Sequence, residues 1–233
     1  MGFLQRGLER AFSGVISVKL WAFAIVAGLL IEFAMFYPEP TGWIKGIFLL
    51  AGLAGFVGLL AAQWMMTRAL GEATDEEVGS VSSWIGWSLV AYLPALILLI
   101  GTMAVWGING YNSRMDAAPW WLESIILSAS AAVIVPVSVY AVGRAIDAAG
   151  PSLRDCFRAC GPVYLPLALS FFLVSAASFL ASDWLIEITP TDEFGLVVIL
   201  AAIASSLLVL ISSVWITAML MLVWRTTVKS ESA

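Results

Sequence analysis

Apolar and polar positions run along this chain in long blocks. Six apolar stretches stand out, at 19–37, 43–67, 88–108, 120–143, 161–181 and 194–224. Each has about the 20 residues that a helix needs to cross the hydrocarbon core of a bilayer. A helix meets its own backbone hydrogen-bond needs there, which an open strand cannot. The pattern therefore predicts an all-α membrane protein with six transmembrane helices. Pro38 stops the first stretch, Glu39-Pro40-Thr41-Gly42 reads as a turn, and Pro119-Trp120-Trp121 opens the fourth.

Three shorter segments between the apolar blocks are amphipathic. In residues 1–18, Phe3, Leu4, Leu8, Ala11 and Phe12 recur at helical spacing, while Gln5, Arg6, Glu9 and Arg10 fill the other face. A helix of this kind is expected along the membrane surface, apolar side down. A cleavable signal peptide is the alternative, but Ile31 to Tyr37 holds no small-residue cleavage site. Val78 to Trp87 is the second segment, with Val78, Val81, Trp84 and Ile85 on one side. The third lies within Arg144 to Cys160, where Pro151 suits a first helical turn. There Leu153, Phe157 and Cys160 face one way, and Arg154, Asp155 and Arg158 face away.

The blocks fall into three similar units, about 1–72, 73–150 and 151–233. Each has an amphipathic segment, an outgoing span, a Pro-containing outer turn and a returning span closed by an arginine: Arg68, Arg144 and Arg225. Tyr92-Leu93-Pro94 and Tyr164-Leu165-Pro166 open the outgoing spans of units two and three, and Lys19-Leu20-Trp21 stands in that place in unit one. The units share one orientation, so they read as parallel repeats. The plainer explanation is that hairpins with Arg inside and Trp at the interface all look alike. Small residues line the returning spans: Gly52, Gly55 and Gly58, then Ser124, Ser128 and Ala132, then Ala201, Ser205 and Ser212. Such stripes let helix backbones approach closely in lipid, so the three returning helices are expected to pack together.

Composition supports a lipid environment. The chain has 233 residues, 61% of them hydrophobic and 12% charged; soluble domains carry about 25% charged residues. Charge sets the orientation. With both termini cytoplasmic, Arg6, Arg10, Lys19, Arg68, Arg144, Arg154, Arg158, Arg225 and Lys229 lie inside, and Lys45 and Arg114 lie outside. The implied location is a bacterial inner membrane. A net charge of -5 argues against nucleic acid as a partner. The expected partners are the bilayer and, beyond it, other membrane proteins or further copies of the chain.

Candidate chemistry is sparse. Histidine is absent, which removes the commonest general base and metal ligand. Cys156 and Cys160 sit four apart on one helical face, a spacing that suits a buried seam and strains a disulfide. No phosphate loop, metal cluster or nucleophile–base pair is legible, so no catalytic residue, cofactor or metal is assigned. Glu32 and Glu123 lie near outer span ends; they either reach water or line an outward cavity. Pro136 falls mid-span and frees a backbone carbonyl, so a kink is expected there, as shape or as a hinge. Pro94 and Pro166 are expected in the first turns of their spans, bending the junction with the surface segment. Most tryptophans fall at span ends as an interfacial belt; Trp215 alone lies inside a span.

The stretch Gly150-Pro151-Ser152-Leu153-Arg154-Asp155-Cys156-Phe157-Arg158, running into a Pro-headed span, resembles bacterial six-helix membrane proteins. The same layout is similar to the membrane domain attached to some glycerophosphodiester phosphodiesterases. Val81-Ser82-Ser83-Trp84 leading to Tyr92-Leu93-Pro94 looks like Yip1-type membrane domains. The resemblance implies a hairpin layout and brings no catalytic residues. The expectation is a non-enzymatic scaffold, accessory subunit or membrane organiser. The alternative is a small transporter or permease subunit with a cavity between the returning helices.

Overall fold

A computed structural model describes residues 2–36, 43–72, 79–110, 120–148, 150–187 and 196–228. The described residues form helices joined by short connections, with no strand among them. The helices are α1 (Phe3–Ala11), α2 (Val18–Phe36), α3 (Trp43–Leu70), α4 (Val81–Gly110), α5 (Trp120–Val133), α6 (Val135–Arg144), α7 (Leu153–Cys160), α8 (Tyr164–Glu187) and α9 (Leu196–Val223). One 3-10 turn, Gly161–Val163, links α7 to α8, and a π-helical turn, Trp224–Val228, follows α9.

Among the described residues, three helices are long and apolar enough to cross a membrane: Gly46–Leu70, Leu153–Ser182 and Leu196–Thr227. The pair Ser124–Val133 and Val135–Arg144 makes a fourth if it is one broken span, and Val18–Ile31 is a shorter apolar helix. This is an all-helical membrane protein by length and composition.

Neighbours in sequence pack as hairpins: α2 on α3, α4 on α5 and α6, and α8 on α9. α9 is the hub, touching α1, α2, α3, α6 and α8. Two apolar clusters form around it. The larger joins α6, α7 and α8 to the end of α9 through Val135, Val139, Cys156, Leu167, Met219 and Trp224. The smaller joins α1, α2 and α3 to α9 through Ala11, Ala24, Ala62, Met66, Val214 and Ala218.

Several elements depart from the expected boundaries. The second amphipathic segment is not a separate helix; it runs unbroken into the following span as α4. Pro94 therefore lies in the interior of that long helix instead of its first turn. α7, the 3-10 turn and α8 likewise form one rod from Leu153 to Ser182, with Pro166 in the opening turn of α8. Proline near a helix start removes an N–H that has no partner there, so it need not bend the rod.

The N-terminal helix is bound to the bundle more closely than a surface helix would be. Gly7 and Ala11 are buried on it. A Cβ on Gly7 would stand 2.3 Å from Met219 Cγ and 3.2 Å from Trp215 Cδ1, so α1 sits against α9 where only glycine fits. The Trp215 indole N–H donates to the Leu4 carbonyl at 2.8 Å. Trp215 is thus the anchor for α1.

Candidate functional site

Arginine chemistry gathers at one end of the bundle. Arg68, Arg144 and Arg225 come at or near the ends of α3, α6 and α9, where carbonyls run out of intrahelical donors. The Arg68 guanidinium reaches across to the Ala145 carbonyl at 2.9 Å and lies over Trp64. Arg225 donates to the Gly71 carbonyl. Arg10, from α1, donates to the Leu70 carbonyl through Nε at 3.2 Å and Nη2 at 2.9 Å, and pairs with Glu72 at 2.8 Å. Arg68, Arg225 and Arg10 each meet the negative pole of a helix they do not belong to.

Arg144 is the most enclosed of the four, 8% exposed. It donates to the carbonyls of Asp147 at 3.3 Å, Pro151 at 3.2 Å and Ala148, and to the Tyr140 hydroxyl, with its guanidinium 4.5 Å from the Tyr140 ring centre. A buried guanidinium is tolerable when its donors find acceptors, and here both terminal nitrogens find them in loop carbonyls and the Tyr140 hydroxyl. The Ser80 N–H donates to the Arg144 carbonyl at 3.0 Å. A Cβ on Gly79 would stand 2.0 Å from the Ala145 oxygen, so only glycine can enter there.

The ends of the three expected returning spans come together at this base. A Cβ on Gly71, just after α3, would meet Ile146, just after α6, at 3.0 Å and Met221 of α9 at 3.2 Å. Trp224 covers Gly143, and Tyr140 stands edge-on between Trp224 and Trp87.

The second feature is the break in the fourth expected span. α5 and α6 meet at a bend of 72°. Pro136 lacks an N–H, and the Val137 N–H turns to the Ile134 carbonyl at 2.8 Å. The Val133 carbonyl is left without its usual helical donor, and the Tyr164 hydroxyl supplies one at 2.7 Å. The Cys156 thiol donates to the Pro136 carbonyl at 3.4 Å. The expected kink at Pro136 is present, and side chains from α7 and α8 hold it. Tyr92, the other copy of the Tyr-Leu-Pro tyrosine, is 62% exposed.

Cys156 and Cys160 are both buried, and neither is in a disulfide. Cys156 is buried where α7 meets α6, with its thiol on the Pro136 carbonyl, so it serves packing. Ser152 caps α7 in a reciprocal box with Asp155.

Hydroxyls are buried further along the bundle. Ser182 and Ser205 hydrogen-bond at 2.6 Å, and Ser178 donates to the Leu208 carbonyl at 3.4 Å. Ser128 and Ser206 are buried with no hydrogen-bond partner. Pro136 is buried, Pro94 half-buried and Pro166 exposed. The side chains of Glu32 and Glu123 lie outside the described residues. Among the described residues, no group of three His, Cys, Asp or Glu is placed to hold a metal.

Sequence reasoning missed Gly7 and Arg10 as docking residues and Tyr140 as the partner of Arg144. A glycine at the centre of an amphipathic helix and a tyrosine four residues before a closing arginine were the available signals. Comparison with protein-family models, with curated proteins and with solved structures gives no match for this chain.

Proposed function

We propose that this chain is a non-enzymatic scaffold or accessory subunit of a bacterial inner membrane. In this reading six spans form three parallel hairpin units, with both termini cytoplasmic. The likeness to bacterial six-helix membrane proteins and Yip1-type domains belongs to the same reading. The observation that carries it is the arginine base. Arg225 of unit three grips the end of unit one, and Arg68 of unit one grips the end of unit two. Arg144 of unit two grips Pro151, where unit three begins. Those cations are spent on helix ends, which favours a rigid platform over a moving carrier.

Amphipathic segments follow the same succession. α1 lies on α9, Trp84 packs edge-on against Trp64 of α3 at 5.4 Å, and α7 lies on α6. Each segment thus rests on the returning span of the unit before it, and α1 closes the ring on unit three. A ring closed within one chain leaves no open edge for head-to-tail growth.

The second reading is a small transporter or permease subunit. The unpartnered hydroxyls of Ser128 and Ser206 favour it, because polar atoms without partners in a span suit a substrate path. Cysteine accessibility separates the two. Single cysteines at Ser128, Pro136 and Ser205, in a chain with Cys156 and Cys160 changed to alanine, are treated with a membrane-impermeant thiol reagent. The scaffold predicts no labelling at any of the three. Labelling at all three establishes a water-filled path and removes the scaffold reading.

A further inference from the structure

We propose that the corner between α7 and α8 binds the headgroup of an anionic phospholipid in the cytoplasmic leaflet; the leaflet assignment rests on the topology above. α7 is clamped to the bundle by one face, with Cys156, Ala159 and Cys160 buried. Its other face carries Arg154, Asp155, Phe157 and Arg158, all exposed. Phe157 is 47% exposed between two guanidinium-bearing residues. Below it on the same rod, Leu165 is 74% exposed, and Leu169 and Leu173 are exposed in turn. A four-residue step advances about 40° round a helix, so Gly161 and Leu165 lie under Arg154 and Arg158, and exposed Leu169 and Leu173 carry the apolar surface further round the rod.

An apolar surface of that length is a lipid-facing wall, and its upper end marks where hydrocarbon gives way to headgroups. Arg154 and Arg158 stand at that end. Long basic side chains at this depth lay their stems along apolar surface and hold their charge among phosphates. Asp155 offsets one of the two charges and leaves the face net positive; its carboxylate is held at the helix start by the Ser152 N–H at 3.1 Å and the Ser152 hydroxyl at 2.5 Å. Gly161 interrupts that surface between Phe157 and Leu165, and a Cβ there would meet nothing within 4 Å. The side-chain surface therefore has a gap at Gly161, next along the rod from the two cations, where the glycerol and upper acyl chain of a lipid would lie. An acidic protein would use the two arginines but not the gap and the apolar surface beneath them.

The test uses the full chain purified in a non-ionic detergent and titrated with phosphatidylglycerol or phosphatidylcholine, with bound lipid counted by native mass spectrometry. Wild type is expected to prefer phosphatidylglycerol. Arg154→Gln with Arg158→Gln is expected to weaken phosphatidylglycerol binding by about thirtyfold, taking about 1 kcal/mol for each charge near the surface. Phosphatidylcholine binding should stay unchanged. Gly161→Leu fills the gap and should weaken both lipids. If the glutamine pair fails to fold, the lysine pair takes its place and should retain the preference.

Equal binding of the two lipids by wild type overturns the proposal, as does unchanged phosphatidylglycerol binding in the glutamine pair. Displacement of phosphatidylglycerol by millimolar inorganic phosphate also overturns it, since the ligand is then a soluble anion. Micelles have no sidedness, so these results judge the site alone. A reporter fused after Arg144 judges the leaflet separately.

Discussion

Arg144 and Arg154 carry the same charge ten residues apart and do different work. Arg144 is enclosed, and its donors are shared among loop carbonyls and the Tyr140 hydroxyl. Arg154 is exposed on the outer face of α7. Lysine supplies a point charge with three donors and cannot reproduce a planar fork. Arg144→Lys is therefore expected to destabilise the protein by about 1–3 kcal/mol, because carbonyls and a hydroxyl in a closed loop lose their donors. Arg154→Lys should fall within about 0.5 kcal/mol of wild type. Thermal unfolding of both variants in one detergent checks the contrast, and equal melting temperatures would refute it. Gly7, Gly79 and Gly143 act at the same scale by size: each leaves room for a neighbouring chain or ring that a methyl group would strike.

The informative element is the broken pair α5–α6. Proline alone accounts for a missing N–H, but a 72° bend in a buried span leaves carbonyls that need other donors. Tyr164 and Cys156 provide them from the following unit. The bend is thus held from outside as well as caused from within. Pro136→Ala by itself should leave the bend largely in place, because both outside contacts persist. Pro136→Ala with Tyr164→Phe removes the cause and the stronger restraint, and should lengthen the distance between spin labels placed near Ser124 and Gly143. Straightening in the single variant would show that proline alone sets the angle. The two Tyr-Leu-Pro phrases look alike in sequence, yet Tyr164 binds the bend and Tyr92 is largely exposed. Both α4 and α8 pack on the kinked span, but only Tyr164 gives its hydroxyl to the bend, and no local pattern encodes that.

At the scale of the whole molecule, α9 is the hub and the arginine base is the fastening. The proposed topology puts Arg68, Arg144 and Arg225 on one side of the membrane. Fusions of a reporter active only in the cytoplasm, placed after each of the three, should all be active. One inactive junction breaks the three-unit scheme. The structural picture that accompanies it is a closed base, where Gly71, Ile146 and Met221 touch. The returning spans meet there through bulky side chains at their ends, whereas the expected stripes face outgoing helices: Gly55 and Gly58 lie against Ala27, Leu30 and Ile31 of α2, and Ser205 bonds Ser182 of α8.

Sequence by itself determined the helical class, the apolar block lengths, the clustering of arginine at block ends, the kink at Pro136 and the burial of the two cysteines. Those are local properties: side-chain hydrophobicity, a missing N–H and a four-residue spacing act wherever the segment lies. The docking of α1 on α9, the pairing of each arginine with a particular carbonyl, and the donors that hold the bend were decided only by tertiary structure. In each case the second partner is far away in the chain; Trp215 and Leu4 are 211 residues apart. A guanidinium has no preference among helix-end carbonyls until packing brings one within about 3 Å. The alphabet of contacts is written in the sequence, and the choice among equivalent partners is made by the fold.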